Sequence, residues 1–192
     1  LCEANVKKLL DAGLRVDGIG IQFHTYGNSF VNGKVYPPKQ LLSTYDRLGQ
    51  LGPMLYITEI TIPGTGEDGP EQQAAAVANL CRLWFSTPKM AGVTWWNLGD
   101  GTAYGNENNA LGGLVDKNMD PKPAYAALDR LINHEWKTNA KGATAADGTF
   151  AFRGFKGAYR LTVDALGKTQ HFAIHVTDGG KPQKIVCDGP QR

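Results

Sequence analysis

The sequence has few of the features that mark specialised chain classes. Its 192 residues contain only three cysteines, Cys2, Cys81 and Cys187, far apart and with no CxxC pair or Cys/His cluster. That pattern gives neither zinc-site spacing nor a disulfide framework, so free thiols are expected, with one unassigned disulfide left open. No run of eighteen apolar residues occurs, so no membrane-spanning helix is expected. A large charge excess is also absent: twenty basic against eighteen acidic residues leave a formal +2. Binding driven by nucleic-acid phosphates needs a strong basic excess, so neither nucleic acid nor membrane is an expected partner. No signal peptide is visible, and the chain opens at Leu1 rather than Met, which suggests a missing start. What is present is a 42% hydrophobic, 20% charged composition with scattered glycine and proline, enough for one domain plus a small appendage.

Two textures follow one another. In residues 1–135, helix signals alternate with apolar strand signals. Val6, Leu9 and Leu10 fall at helical spacing, and Gly13 stands as a helix C-cap. Val16 to His24 reads as a buried strand. A helix from about Pro38 carries Leu41, Leu42, Tyr45 and Leu48, and stops at Gly49 or Gly52. Met54 to Ile62 is a second strand. Pro70 opens a helix with Ala74, Val77, Leu80 or Cys81, and Trp84 on its stripe. Gly92 to Leu98 is a third strand, and Pro123 opens a last helix with Leu128, Leu131 and Ile132. Strands alternating with helices imply parallel pairing through right-handed crossovers. The class is therefore α/β, either a small open sheet or the back part of a (β/α)8 barrel, of which it would supply roughly three-eighths.

Residues 136–192 have a different texture. Short runs, Thr149–Phe152, Ala158–Val163, Thr169–Val176 and Lys184–Val186, are separated by Asp147-Gly148, Lys156-Gly157, Leu166-Gly167 and Asp178-Gly179-Gly180. They predict an antiparallel meander. Tyr159, Leu161 and Val163 share one face of their strand, and Phe172, Ile174 and Val176 share one face of theirs.

Chemistry concentrates at the strand ends. Gly18, Gly20, Gln22 and His24 alternate onto one face, opposite Ile19, Ile21 and Phe23. Strict alternation along the second strand groups Leu55, Ile57, Glu59 and Thr61. A carboxylate flanked by Ile57 and Ile60 is costly to bury unless a partner holds it. It stands either in a structural ion pair or in a site, and the polar end of an apolar parallel strand is where α/β enzymes place their sites. Trp95-Trp96-Asn97-Leu98-Gly99-Asp100 follows the third strand. Tryptophans beside a carboxylate suit a sugar ring, which presents apolar C–H faces to an aromatic plane, although one of the two is expected to be core. His171 and His175 share one face of a meander strand and His134 sits at a helix end; none of these suggests a metal site.

Four segments together resemble glycoside hydrolase family 10, the endo-1,4-β-xylanases. Gly18-Ile19-Gly20-Ile21-Gln22-Phe23-His24 resembles that family's sixth strand, and Tyr56-Ile57-Thr58-Glu59-Ile60-Thr61-Ile62 its seventh. Gly92-Val93-Thr94-Trp95-Trp96 resembles the eighth, and Asp116-Lys117 through Asp120-Pro121-Lys122-Pro123-Ala124-Tyr125 resembles the segment entering the last helix. The resemblance implies strands six to eight of a (β/α)8 barrel over residues 1–135, with residues 136–192 as a short β extension found in some bacterial members. It implies Glu59 as the nucleophile of a retaining hydrolase. His24 would support that carboxylate, while Gln22, Trp96, Trp95 and Asp100 would bind substrate or line its rim. It implies xylan or a related β-glycan as substrate, no cofactor and no metal, and export of the parent enzyme, because a polymer cannot enter the cell.

The sequence departs from the family at two points. The family usually carries an aspartate two residues after the nucleophile, where this chain has Thr61. The family's general acid lies in an Asn-Glu-Pro motif on the fourth strand, and no Asn-Glu-Pro occurs here. Asn106-Glu107 is followed by Asn108 in a loop, and neither Glu107 nor Asp100 is assigned as the acid. Three alternatives stand beside the leading reading. One is a catalytically incompetent, carbohydrate-binding piece. Another is a half-barrel completed by the missing N-terminal part or by a second copy. The third is another barrel hydrolase with its nucleophile on strand seven.

Overall fold

The computed structural model describes residues 2–26, 37–177 and 179–188. Leu1 of the opening helix and Asp178 of the last predicted turn lie outside the described residues. The chain divides into two compact units, Leu1–Leu131 and Ile132–Arg192.

The first unit is built from three parallel strands and the helices between them. Helix α1 (Cys2–Asp11) ends at Gly13, whose φ of 75° is one that glycine adopts without Cβ strain. Bonds from Gly13 N to Leu10 O and from Leu14 N to Leu9 O close the end in a Schellman arrangement. Strands β1 (Gly18–His24), β2 (Met54–Thr61) and β3 (Met90–Val93) pair in parallel in the order β1-β2-β3. Helix α2 (Pro38–Gly49) links the first two strands and α3 (Gly69–Phe85) the next two; each has proline in its first turn. The third strand is shorter and earlier than the predicted Gly92–Leu98. Beyond Val93 the chain stays tied to β2 through Thr94 N to Ile57 O and Trp96 N to Ile60 O. Helix α4 (Pro123–Asp129) runs on into a π-helical turn, Arg130–Glu135. No described helix is long and apolar enough to cross a membrane.

The core lies on one face of this sheet. Ile19, Phe23, Leu55, Ile57 and Ile60 are buried, as are Leu41, Tyr45 and Leu48 of α2 and Val77, Leu80, Cys81 and Trp84 of α3. Phe23 meets Trp84 edge to face at 5.2 Å, and the Trp84 indole N–H donates to the Tyr45 hydroxyl at 3.0 Å. Both polar tips of this aromatic cluster are thereby satisfied inside the core. Leu9 and Leu42, placed on the predicted apolar stripes, are exposed. Gln73, absent from the predicted stripe of α3, is fully buried. Its amide donates to Ile62 O at 2.8 Å and, more weakly, to Leu111 O and Gly113 O, stapling the chain after β2 to the long loop after β3.

The opposite face carries Gly18, Gly20, Tyr56 and Thr58, and there the side chains are exposed. A Cβ on Gly18 would approach the Tyr56 ring to 2.8 Å, and one on Gly92 would approach its other edge to 3.0 Å. Tyr56 therefore occupies the space left by a glycine on each neighbouring strand.

In the second unit, β4 (Gly157–Ala165) and β5 (Lys168–Val176) form an antiparallel hairpin. Leu166 and Gly167 are its two turn residues, both at positive φ (54° and 74°), as a type I′ connection requires. The predicted strands Thr149–Phe152 and Lys184–Val186 are not strands, so the meander is corrected to a hairpin with irregular flanks. Side-chain interactions replace ladders there. Phe152 sits between Phe150 and Tyr159, at 6.2 and 5.6 Å. Gln170 clasps Asp188 by accepting from its N–H at 3.0 Å and donating to its C=O at 3.2 Å. The register pairs Tyr159 with Ile174 and Leu161 with Phe172, so the two apolar rows form a single face.

Candidate active site

The site is created by a slip in strand register. From Gly18↔Met54 to Ile21↔Ile57 the strands pair one to one, but Gln22 then pairs with Glu59. Thr58 is an extra residue, a β-bulge in a parallel pair. Before the bulge Leu55 and Ile57 point into the helix-covered core; after it Ile60 does so. Strict alternation would have grouped Glu59 with Leu55 and Ile57. The bulge corrects that expectation: Glu59 faces the same side as Gln22, and Thr61 the same side as His24.

Glu59 is held at two points. The Gln22 amide donates to Oε1 at 2.9 Å, and His24 Nε2 lies 2.9 Å from Oε2. The other imidazole nitrogen, Nδ1, lies 2.9 Å from the hydroxyl of Thr61, a residue that is 4% exposed. Glu59 and His24 retain side-chain exposures of 21% and 16%, so the pair is reachable from outside yet largely shielded. A neutral ring with its proton on Nε2 donates to Glu59 and accepts from Thr61. A doubly protonated ring donates to both, and then the Thr61 proton is available to another acceptor. An aspartate at position 61 would only accept.

Aromatic rings frame this pair. Tyr26 stacks on His24 with centroids 5.7 Å apart and planes 10° from parallel, and Trp96 meets His24 edge-on at 6.2 Å. Burial above all, with the nearby charge of Glu107, a hydrogen bond to it and the charge of Glu59, raises the Tyr26 phenol above its ordinary value. A hydrogen bond with Thr61 works in the opposite direction.

The two tryptophans separate in role. Trp96 is 48% exposed and donates its indole N–H to Glu107 Oε2 at 3.1 Å. Trp95 is partly buried and donates to Gly112 O at 3.1 Å, so its N–H is used to hold the loop. Asp100 is occupied in the same way. Its carboxylate takes the Lys122 ammonium at 2.9 Å and the Gly113 N–H at 2.8 Å, with both charged side chains about nine-tenths buried. Of the six expected site residues, Gln22, His24, Glu59 and Trp96 converge, whereas Trp95 and Asp100 brace the loop that carries Trp96. Tyr26 was not anticipated, although its place two residues after His24 was the available signal. Among the described residues, no cluster of three His, Cys, Asp or Glu side chains is arranged to hold a metal.

Glu59 thus stands at the end of β2, gripped by Gln22 and His24, with the exposed Trp96 ring edge-on to His24. The chain belongs to glycosyl hydrolase family 10, whose sequence model matches residues 2–130. It is 32% identical over 170 residues to "Anti-sigma-I factor RsgI6" of Acetivibrio thermocellus, covering 88% of this chain and 20% of that protein. It is 25% identical over 141 residues to "Endo-1,4-beta-xylanase B" of Thermotoga neapolitana, covering 69% of this chain and 38% of that enzyme. Among solved structures, native xylanase 10B from Thermotoga maritima matches with a TM-score of 0.57 and 26% identity, over 69% of this chain and 41% of that one. The chain thus spans well under half the length of these relatives, consistent with part of a (β/α)8 barrel.

Proposed function

We propose that this chain is the nucleophile-bearing part of a retaining endo-β-1,4-glycanase acting on xylan, with β1, β2 and β3 as strands six, seven and eight of the parent barrel. The observation that carries this reading is Glu59, hydrogen-bonded by Gln22 and His24 at the open end of β2. The Glu59 carboxylate attacks the anomeric carbon. The glycosidic C–O bond breaks as the glycosyl-enzyme ester forms, and water later releases the sugar with its configuration retained. Gln22 and His24 hold the attacking oxygens in place, and the Trp96 face packs on the sugar ring. Protonation of the leaving oxygen needs a second carboxylate roughly 5–5.5 Å away, assigned here to the family segment that has no counterpart in these 192 residues. The chemistry uses neither metal nor organic cofactor, and export of the parent to meet a polymeric substrate belongs to the same proposal.

A second reading is favoured by the match to the anti-sigma-I factor. That match covers 88% of the chain, against 69% for the Thermotoga neapolitana xylanase, and so extends into the second unit. In this reading the chain recognises polysaccharide as part of a regulatory protein and does not cleave it. One assay separates the two. Reducing-sugar release from xylan, lost in Glu59→Gln, supports the glycanase. Retention on insoluble xylan with no release by the chain or by its full-length parent supports recognition alone.

A further inference from the structure

The loop between β3 and α4 brings a second carboxylate to the site. Glu107 lies in a short 3-10 turn, Gly105–Ala110, that is firmly built. Asn108 accepts from Ala103 N at 2.9 Å and donates to Ala103 O at 2.8 Å. Lys122 ties Leu111 O and Asp100 together, and Trp95 ties Gly112. Thr61, Asn97, Asp100, Glu107 and Gly112 line a shallow hollow at this end of the sheet. From this frame Glu107 accepts a hydrogen bond from the Trp96 indole N–H at 3.1 Å and reaches the Tyr26 phenol. Both rings pack on His24, one face to face and the other edge-on.

An exposed tryptophan is free to take several rotamers, and ordering one on binding costs affinity. A charge-assisted hydrogen bond to its N–H removes that freedom in advance. We propose that Glu107 is a positioning residue, holding the Trp96 and Tyr26 rings in a fixed cradle around the Glu59–His24 pair, so that a xylose unit meets a preformed aromatic wall. This deepens the glycan reading and rests on it for the ligand, but the cradle itself is testable without sugar. Glu107 acts through the two rings, and the bond to the sugar is made and broken at Glu59.

The experiment follows the indole N–H signals of the 192-residue chain by ¹H–¹⁵N NMR, with Trp96 assigned from Trp96→Phe. In Glu107→Ala the Trp96 signal should move upfield and broaden. In Glu107→Gln, whose amide oxygen still accepts, it should stay sharp. The Trp84 signal, buried on the far side of the sheet, should hold its position in both and report an intact core. An unmoved, equally sharp Trp96 signal in Glu107→Ala overturns the proposal. Titration with xylotetraose supplies the second arm. Affinity should fall about tenfold in Glu107→Ala, the scale of one hydrogen bond to a charged group, and recover most of that in Glu107→Gln. Equal affinity in all three proteins also overturns the proposal. Failure of the unmutated chain to bind xylotetraose counts against the glycan reading, while the ligand-free signals still decide whether Glu107 holds the cradle.

Discussion

His24 Nε2 lies 2.9 Å from Glu59 Oε2 because β2 carries one more residue than β1 between Ile57 and Glu59. Removing Thr58 would restore one-to-one pairing and leave Ile57 opposite Ile21 and Glu59 opposite Gln22, each on the face it now holds. Deletion of Thr58 should therefore keep a cooperative urea transition, because strict alternation without the extra residue still turns Leu55, Ile57 and Ile60 into the core and Glu59 away from it. Thr58→Ala keeps the extra residue and should unfold within about 1 kcal/mol of the parent. Loss of the transition in the deletion variant would refute the placing of Thr58 as the extra residue.

Thr61 should set the state of His24 through what its hydroxyl can do. Replacing it with aspartate, the residue usual in the family, leaves Nδ1 facing an acceptor that never donates. In Thr61→Asp, His24 Nδ1 should carry a proton donated to the new carboxylate, visible in long-range ¹H–¹⁵N correlations of the imidazole. Identical imidazole spectra in the two proteins would show that the 2.9 Å contact to Thr61 does not govern the ring.

The Asp100–Lys122 pair should matter for stability rather than for binding directly. Asp100→Ala strands a nearly buried ammonium and frees the Gly113 N–H, so a loss of about 3–5 kcal/mol is expected in urea unfolding. Removing both charges together, as Asp100→Asn with Lys122→Met, should cost less than Asp100→Ala alone. Additive losses would argue that the two do not act as a pair.

Alkaline pH should destabilise the first unit. Burial pushes the Cys81 thiol from its ordinary 9.0 up to about 12. Burial also raises the Tyr45 phenol, against the lowering effect of its hydrogen bond from Trp84. Both groups stay protonated in the folded chain where the unfolded chain has begun to ionise. The Cys81 contribution is therefore whole below about pH 9 and falls as pH rises toward 12, by about 1.4 kcal/mol per pH unit, and the Tyr45 phenol adds a loss in the same direction above its ordinary 10.0. Cys81→Ala should flatten the slope of urea stability against pH above 9. Iodoacetamide at pH 8 should label exposed Cys2 and leave Cys81 unmodified, read by mass spectrometry.

The hairpin of the second unit offers a test independent of the site. Leu166 holds φ at 54° while 62% exposed, a conformation that costs a Cβ-bearing residue about 1–2 kcal/mol. Leu166→Asn should relieve part of that cost and slow amide exchange in β4 and β5, because Asn-Gly is the favoured pair for this turn. Unchanged exchange would show that the turn is not what limits the hairpin.

Local rules made much of the fold and site legible. Proline in the first turn and glycine at the stop bounded α2, and the period of Val77, Leu80 and Trp84 defined the core face of α3. The Leu166-Gly167 pair marked the hairpin turn. Side chains with short-range signals were legible as well: Gln22 and His24 alternate on one strand, and Glu59 is an anomalous charge in an apolar run. The shortfall came where distant segments compete. Gln73 is polar by composition, yet three carbonyls from loops far along the chain bury it. Thr149–Phe152 has strand-like residues but no strand to pair with, and aromatic packing satisfies it instead.

The sequence by itself determined the helix and strand alternation, the parallel order and the residue types that carry the chemistry, because period and turn chemistry act over a few residues. Only the tertiary structure decided which way Glu59 points, because the Thr58 bulge exists only relative to the register of β1. It also decided that Trp96 faces the site while Trp95 and Asp100 hold the loop. Their partners, Glu107, Gly112 and Lys122, lie eleven to twenty-two residues away along the chain and meet them only after the loop has closed.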